Sequence, residues 1–157
     1  MIADAGAVFG AERDIEFMTD YPAVLAGDSI DAVILATPHS LHEEQIISAA
    51  GAGKHIFCEK PFCLNRAFAL RAMEVVEKAG VQIAIGHERR FEPPIIDAMA
   101  LARDGKLAAL MHIEANFSRD IFAVLDYTNW RLKTDESPAG GLTATLSHLM
   151  DLSISRS

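Results

Sequence analysis

Between residues 32 and 85 the apolar positions gather in three short continuous runs. They are Ala32-Val33-Ile34-Leu35-Ala36, His55-Ile56-Phe57-Cys58 and Val81-Gln82-Ile83-Ala84-Ile85. Runs of this length without alternation predict strands buried on both faces, as in a parallel sheet covered by helices. Each run is closed by a breaker or a charge: Thr37-Pro38, Glu59-Lys60-Pro61 and Gly86-His87. Between the runs the spacing turns helical. Ser40-Leu41-His42-Glu43 has the form of a capping box and predicts a helix running to about Ala50, ended by Gly51 or Gly53. Asn65 caps a second helix, in which Phe68, Ala72, Val75, Val76 and Ala79 fall on one face before Gly80. Pro93 and Pro94 open a third, Ile95 to about Arg103. Upstream, a short helix is expected over Ala5–Glu12, a strand over Ile15–Met18, and a helix over Pro22–Ala26 capped by Thr19 or Asp20.

Strands alternating with helices through short links predict an α/β fold whose parallel strands are joined by right-handed crossovers. The three strand ends should then lie side by side on the carboxyl edge of the sheet. After Gly105 the pattern changes. Met111, Ile113, Ala115 and Phe117 alternate with His112, Glu114, Asn116 and Ser118, the mark of a half-exposed and usually antiparallel strand. A second domain, 105–157, is therefore expected after a first one over 1–104. Asp120–Glu136 reads as a connecting arm, and Pro138-Ala139-Gly140-Gly141 leads into a helix carrying His148 and Asp151.

Charge alters the picture in one respect. The 157 residues carry a net charge of -8. Residues 1–53 hold nine acids against one base, Arg13, and the remainder is neutral. An acidic chain argues against nucleic acid as a partner. No apolar run is long enough to span a bilayer, and the N-terminus has neither a basic region nor an apolar signal segment, so a cytoplasmic protein without membrane contact is expected. Cys58 and Cys63 stand alone as a C-x4-C pair and are read as reduced thiols. His39 and His42 lie three apart, but no carboxylate and histidine set accompanies them, so no metal is expected.

The candidate chemistry centres on Cys58-Glu59-Lys60-Pro61-Phe62. It places a charged pair at the end of a buried strand, where open α/β sheets bind their ligands. A desolvated ammonium is costly unless a partner or a reaction uses it. Arg89-Arg90, taken alone, reads as a solvated loop, and Ser40 as a helix cap.

Four blocks in order resemble the Gfo/Idh/MocA family of nicotinamide-dependent sugar and polyol dehydrogenases. They are Asp31-Ala-Val-Ile-Leu-Ala-Thr-Pro-His-Ser-Leu-His42, Ala52-Gly-Lys-His-Ile-Phe-Cys-Glu-Lys-Pro61, Gly86-His-Glu-Arg-Arg-Phe-Glu-Pro93, and Ser137-Pro-Ala-Gly-Gly141 followed by His148-Leu-Met-Asp151. The resemblance implies a Rossmann domain followed by a mostly antiparallel α/β domain, with the active site between them. It implies NAD or NADP as cofactor and a sugar, inositol or related polyol as substrate; apolar surface left exposed beside a lone alternating strand points to a homo-oligomer. Thr37, Pro38, His39, His42, Glu59, Lys60, His87 and Arg89 would then line the cofactor, with Lys60 also reaching the substrate hydroxyl. Lys60 and His148 would be catalytic, the ammonium steadying a developing alkoxide and the imidazole moving the proton.

Three departures from the family accompany the match. No G-x-G-x-x-G fingerprint is found, so the Rossmann part is expected to lack its first βαβ unit, and with it a strong dinucleotide site. The second domain is expected to be only a beginning. Ala144 stands four residues before His148, where many members carry an acid. The alternative function is a non-catalytic dimerising or assembly module derived from such an enzyme. A metal-dependent hydrolase using the histidines is a weaker third.

Overall fold

A computed structural model of the chain describes residues 2–154 except 119, 121, 122 and 127. Helix α1 (Ile2–Arg13) ends at Asp14, whose positive φ of 53° turns the backbone so that the Ile15 N–H donates to the Gly10 carbonyl. The returning segment lies so close that a Cβ on Gly6 would sit 2.3 Å from the Phe17 ring. Ile15–Met18 forms no strand: no neighbouring chain offers it a ladder. Helix α2 (Tyr21–Leu25) is capped by Asp20, whose carboxylate accepts from the Ala23 N–H.

Three parallel strands follow in the order β1 (Ala32–Leu35), β2 (His55–Cys58) and β3 (Ile83–Ile85). The crossovers contain α3 (His42–Gly51) and α4 (Arg66–Ala79). The Asn65 side chain caps α4, and Gly80 closes it at a φ of 68°. Helix α3 does not use the expected capping box. A 3-10 turn at His39–Leu41 precedes it, Leu41 stands at its N-cap without a side-chain bond, and Glu43 pairs instead with Arg71 of α4.

The expectation of helices on both faces is corrected. The strand order runs straight from β1 to β3 without reversal, and successive crossovers of one hand in one direction fall on one side. Val33, Leu35, Ile56 and Cys58 are buried against Ile46, Ala49 and Ala50 of α3 and Ala72 and Val76 of α4. The opposite face is bare, with Ile34 76% and Phe57 41% exposed. The buried face supplies the core, at about 1.5–3 kcal/mol for each large aliphatic side chain.

Beyond β3 a 3-10 turn, Glu88–Phe91, leads into α5 (Pro93–Arg103). The alternating stretch at 109–118 is not a strand. It has the pattern but pairs in no ladder among the described residues, and Met111 is 89% exposed. With α5 and the last helix, α6 (Gly141–Ile154), residues 107–115 enclose an apolar groove of about 500 Å³. A further 3-10 turn, Trp130–Leu132, lies before α6. No helix among the described residues is long and apolar enough to cross a membrane.

Candidate functional site

The carboxyl ends of the three strands lie together, and α6 closes against them. At the end of β2, the Glu59 N–H donates to the Leu35 carbonyl of β1, at 2.8 Å. At the end of β3, the Gly86 N–H donates to the Cys58 carbonyl, also at 2.8 Å. These bonds carry the ladder one residue past each strand and fix where Glu59 and Lys60 emerge. A Cβ added at Gly86 would stand 3.0 Å from the Glu59 carboxylate, so a larger residue there would push that side chain aside. The Lys60–Pro61 peptide is cis.

Lys60 is half-buried rather than sealed in a dry pocket, and its Nζ donates to the Ala144 carbonyl of α6 at 3.3 Å. Residues 144 and 148 are one helical turn apart and share a face. The ammonium is therefore docked one turn before His148. A cavity of about 160 Å³ opens beside it, bordered by Thr37, His39, Glu59, Trp130, Arg131 and Ser137 among others.

The histidines of the β1–α3 turn do different work. His42 is fully buried, with Nδ1 2.9 Å from the Pro61 carbonyl and Nε2 3.1 Å from the Thr37 carbonyl. It ties the two strand ends together, and its ring faces no open space. His39 borders the cavity, its Nδ1 2.8 Å from the Glu136 carbonyl and its ring edge-on to Trp130 at 5.0 Å. Burial pushes its pKa down, against the opposing pull of the Glu136 carbonyl. Thr37 donates to the Gln45 side chain at 2.6 Å.

Glu136 is the contact that sequence reasoning missed. Its carboxylate accepts from the Ser40 backbone N–H at 2.9 Å and from the Ser40 hydroxyl at 2.5 Å. Ser40 is thus held by a residue 96 positions away, not by capping its own helix. Burial alone raises the Glu136 pKa, but the Ser40 bonds and nearby His39 outweigh it and hold the carboxyl below its ordinary value. Only a fold that brings 136 back to 40 makes this visible.

The second cluster forms where the Glu88–Phe91 turn meets α6. His148 is 4% exposed, and its Nε2 lies 3.7 Å from the Glu88 carboxylate. The His87 and His148 rings stand edge to face at 5.9 Å, and the Nδ1 of each is buried without a hydrogen-bond partner. Burial lowers the His148 pKa; Glu88 opposes this, while Lys60, His87 and Arg89 reinforce it. Arg90 is an exposed turn residue, and it also grips Asp151 of α6 in a two-pronged ion pair. That hydrogen bonding holds the Asp151 carboxyl below its usual range. Arg89 pairs with Glu92 and lies over the Phe117 ring at 5.1 Å. Among the described residues no group of three or more His, Cys, Asp or Glu side chains could hold a metal ion.

The donor set around the cavity tests what it could hold. An ammonium, a guanidinium, a hydroxyl, an indole and a carboxylate suit the ribose and amide of a nicotinamide nucleoside. About 160 Å³ is less than a whole ligand pocket requires. No glycine-rich phosphate turn is present among the described residues. The residues therefore fit the nicotinamide end of a dinucleotide.

Comparison with known proteins shows the family. Residues 3–87 match the GFO_IDH_MocA family, described as oxidoreductases with an NAD-binding Rossmann fold. The scyllo-inositol 2-dehydrogenase (NAD(+)) of Bacillus subtilis is 39% identical over 110 residues, covering 69% of this chain and 32% of that protein. The 1,5-anhydro-D-fructose reductase of Ensifer adhaerens is 29% identical over 153 residues, covering 95% of this chain and 44% of that protein. The crystal structure of an oxidoreductase domain protein from Kribbella flavida superposes with a TM-score of 0.87 at 31% identity, over 96% of this chain and 40% of that one. The chain thus spans less than half the length of these relatives.

Proposed function

Since this chain belongs to the Gfo/Idh/MocA family of oxidoreductases with an NAD-binding Rossmann fold, we propose that it carries the nicotinamide end of a cofactor site and the proton-handling residues of a dehydrogenase. Its substrate class is a sugar, an inositol or a related polyol. The observation that carries this reading is the convergence of Lys60 and His148 on one face of α6, with the Lys60 ammonium on the Ala144 carbonyl one turn from the imidazole. The names of an inositol dehydrogenase and an anhydrosugar reductase among the relatives support the substrate class. On this reading the boundary of the nucleotide-binding part falls near residue 104, and α6 belongs to the substrate-facing part.

A bound NAD or NADP would supply the hydride acceptor or donor. Glu59 and Lys60 would hold its nicotinamide ribose, while His39, Trp130 and Arg131 wall the cavity beside them. The chain's own residues do the rest. The Lys60 ammonium, within a half-buried cleft, stabilises negative charge on a hydroxyl oxygen more strongly than it would in water. His148, with its pKa lowered by burial, is neutral near pH 7 and can accept a proton. His42 and Glu136 touch no reacting atom; they hold the β1–α3 turn in place.

The test is calorimetric titration of the chain with NAD(H) and NADP(H), followed by polyol oxidation assays on wild type and Lys60→Ala. Binding of one nucleotide, with turnover lost in the variant, supports the reading. Turnover that survives Lys60→Ala refutes it.

A second reading has its own observation. The bare sheet face carrying Ile34 and Phe57 suits a non-catalytic, self-associating module. It predicts concentration-dependent dimers in sedimentation equilibrium that Ile34→Lys abolishes, with no nucleotide binding in either protein.

A further inference from the structure

We propose that the substrate of this site carries a carboxylate and that Arg131 holds it, so that the polyol is a sugar acid rather than a neutral sugar or inositol. The proposal rests on the dehydrogenase reading for the reaction and deepens its substrate class; the charge argument stands on geometry. Lys60, Arg131 and Glu59 border one cavity of about 160 Å³. The Lys60 ammonium donates to the Ala144 carbonyl, and the exposed Arg131 guanidinium lies over the Trp130 ring at 4.3 Å. Among the described residues neither cation forms an ion pair.

The other groups at the cavity do not cancel this charge. Glu59 sets one carboxylate against two cations, and that carboxylate already accepts from the Lys60 backbone N–H. Glu136 is committed to Ser40 through both of its oxygens. His39, its pKa lowered by burial, is neutral near pH 7 and adds no charge. Thr37 and Ser137 bring only hydroxyls. One positive charge is therefore left over. A neutral polyol leaves it unbalanced, as do the ribose and amide of a nicotinamide nucleoside. A single carboxylate balances it. A guanidinium meets a carboxylate through two parallel N–H···O bonds.

Ser137 adds a second observation. It is only 6% exposed, it borders the same cavity, and its hydroxyl makes no hydrogen bond among the described residues. Buried hydroxyls are ordinarily paired, and this one is left for a ligand oxygen. Arg131 and Ser137 both follow residue 104, as does His148, and so belong to the substrate-facing part on the reading above. A pyrophosphate would bring two negative charges to a site with one to balance.

Matched ligands test the charge by itself. Gluconate and sorbitol differ by a carboxylate against a hydroxymethyl group, as do galactonate and galactitol. Trp130 is the only tryptophan and stacks with Arg131, so its emission reports binding without turnover. Wild type, titrated with and without NAD(H) or NADP(H), should bind at least one acid about 10–100-fold more tightly than its neutral partner. Calorimetry extends the test to variants, in which loss of the stack alters the emission. Arg131→Gln should erase the preference, and Arg131→Lys should keep part of it. Equal affinity for acid and neutral ligand, binding of neither acid, or a preference that survives Arg131→Gln would overturn the proposal. Nucleotide affinity should be the same in wild type and Arg131→Gln; a fall there assigns the guanidinium to a cofactor phosphate and also overturns it. Should wild type bind no nucleotide, the dehydrogenase reading falls, and the acid preference still decides the charge site.

Discussion

From β1 to α4 the chain is held by apolar burial: four strand residues meet five from two helices, and Ile46, Ala49, Cys58 and Ala72 are fully buried. From Trp130 to Asp151 it is held against that body chiefly by polar contacts. Glu136 clasps Ser40, Arg90 grips Asp151, and Lys60 reaches the Ala144 carbonyl. The candidate site lies on the seam between these two kinds of structure. Burial is non-directional and tolerant, whereas hydrogen bonds fix distances and angles. The core therefore supplies stability, and the seam supplies geometry for chemistry.

The comparison can be broken most severely at the seam's cation. Lys60→Met should lower polyol turnover by about 10²–10⁴-fold while leaving the urea midpoint close to wild type. A large loss of stability with it would show that Lys60 serves the core as well. In the core, Ile46→Ala removes a wholly buried side chain and should cost about 2–5 kcal/mol, read by urea denaturation. A cost below 1 kcal/mol would mean that α3 is not the keystone of the buried face.

Glu136→Gln sets an amide N–H against the Ser40 donors and should cost about 1–3 kcal/mol. Its signature should be local. Trp130 is the only tryptophan and sits on the seam against His39, so its emission reports the clasp, whereas far-UV circular dichroism reports the helices. Acid should produce a similar separation in wild type. His39 and His148 have pKa values lowered in the folded state, so their contribution is complete above the ordinary histidine value and declines as the pH falls below it. Glu136 and Asp151 are also lowered, so theirs is complete above the ordinary carboxylate range and is lost as the pH falls through the folded values. Trp130 emission should therefore change before the helical signal on acidification. Alkali should act on the other region. Burial raises Cys58 to about 12 and Cys63 to about 11, so their stabilisation is complete below the ordinary thiol value and erodes as the pH climbs above it. Coincident loss of both signals at either extreme would dissolve the distinction. The smallest effect is expected far from the seam: Asn65→Ala, which removes the α4 cap, should cost about 1 kcal/mol with turnover unchanged.

What could be read from the sequence follows the same division. The runs at 32–36, 55–58 and 81–85, the Asn65 cap and the Gly80 stop are local signals; strands form within the runs at 32–35, 55–58 and 83–85, and the cap and stop appear where their residues predict. Ile15–Met18 and 109–118 also carry strand-like residues, but a strand needs a neighbouring strand, and among the described residues neither segment joins a sheet. Covering helices were expected on both sheet faces because the runs are continuously apolar. Strand order, which no run encodes, decided otherwise. In the site, the strand ends carrying Glu59 and Lys60 were legible from the apolar runs that precede them. Glu136 with Ser40, Arg90 with Asp151 and Glu88 with His148 join residues 60 or more positions apart. No spacing rule links such pairs. Ser40 shows the failure most plainly, since its local capping pattern was intact and a distant carboxylate still took it.

The sulfur at the tip of β2 has a practical consequence. Wholly buried and held as the neutral thiol, Cys58 is shielded from alkylating reagents while the sheet stays closed. It becomes reactive whenever the sheet opens. Pulsed iodoacetamide labelling followed by peptide mass spectrometry would thus time spontaneous opening of the sheet, with a clock that is already part of the chain.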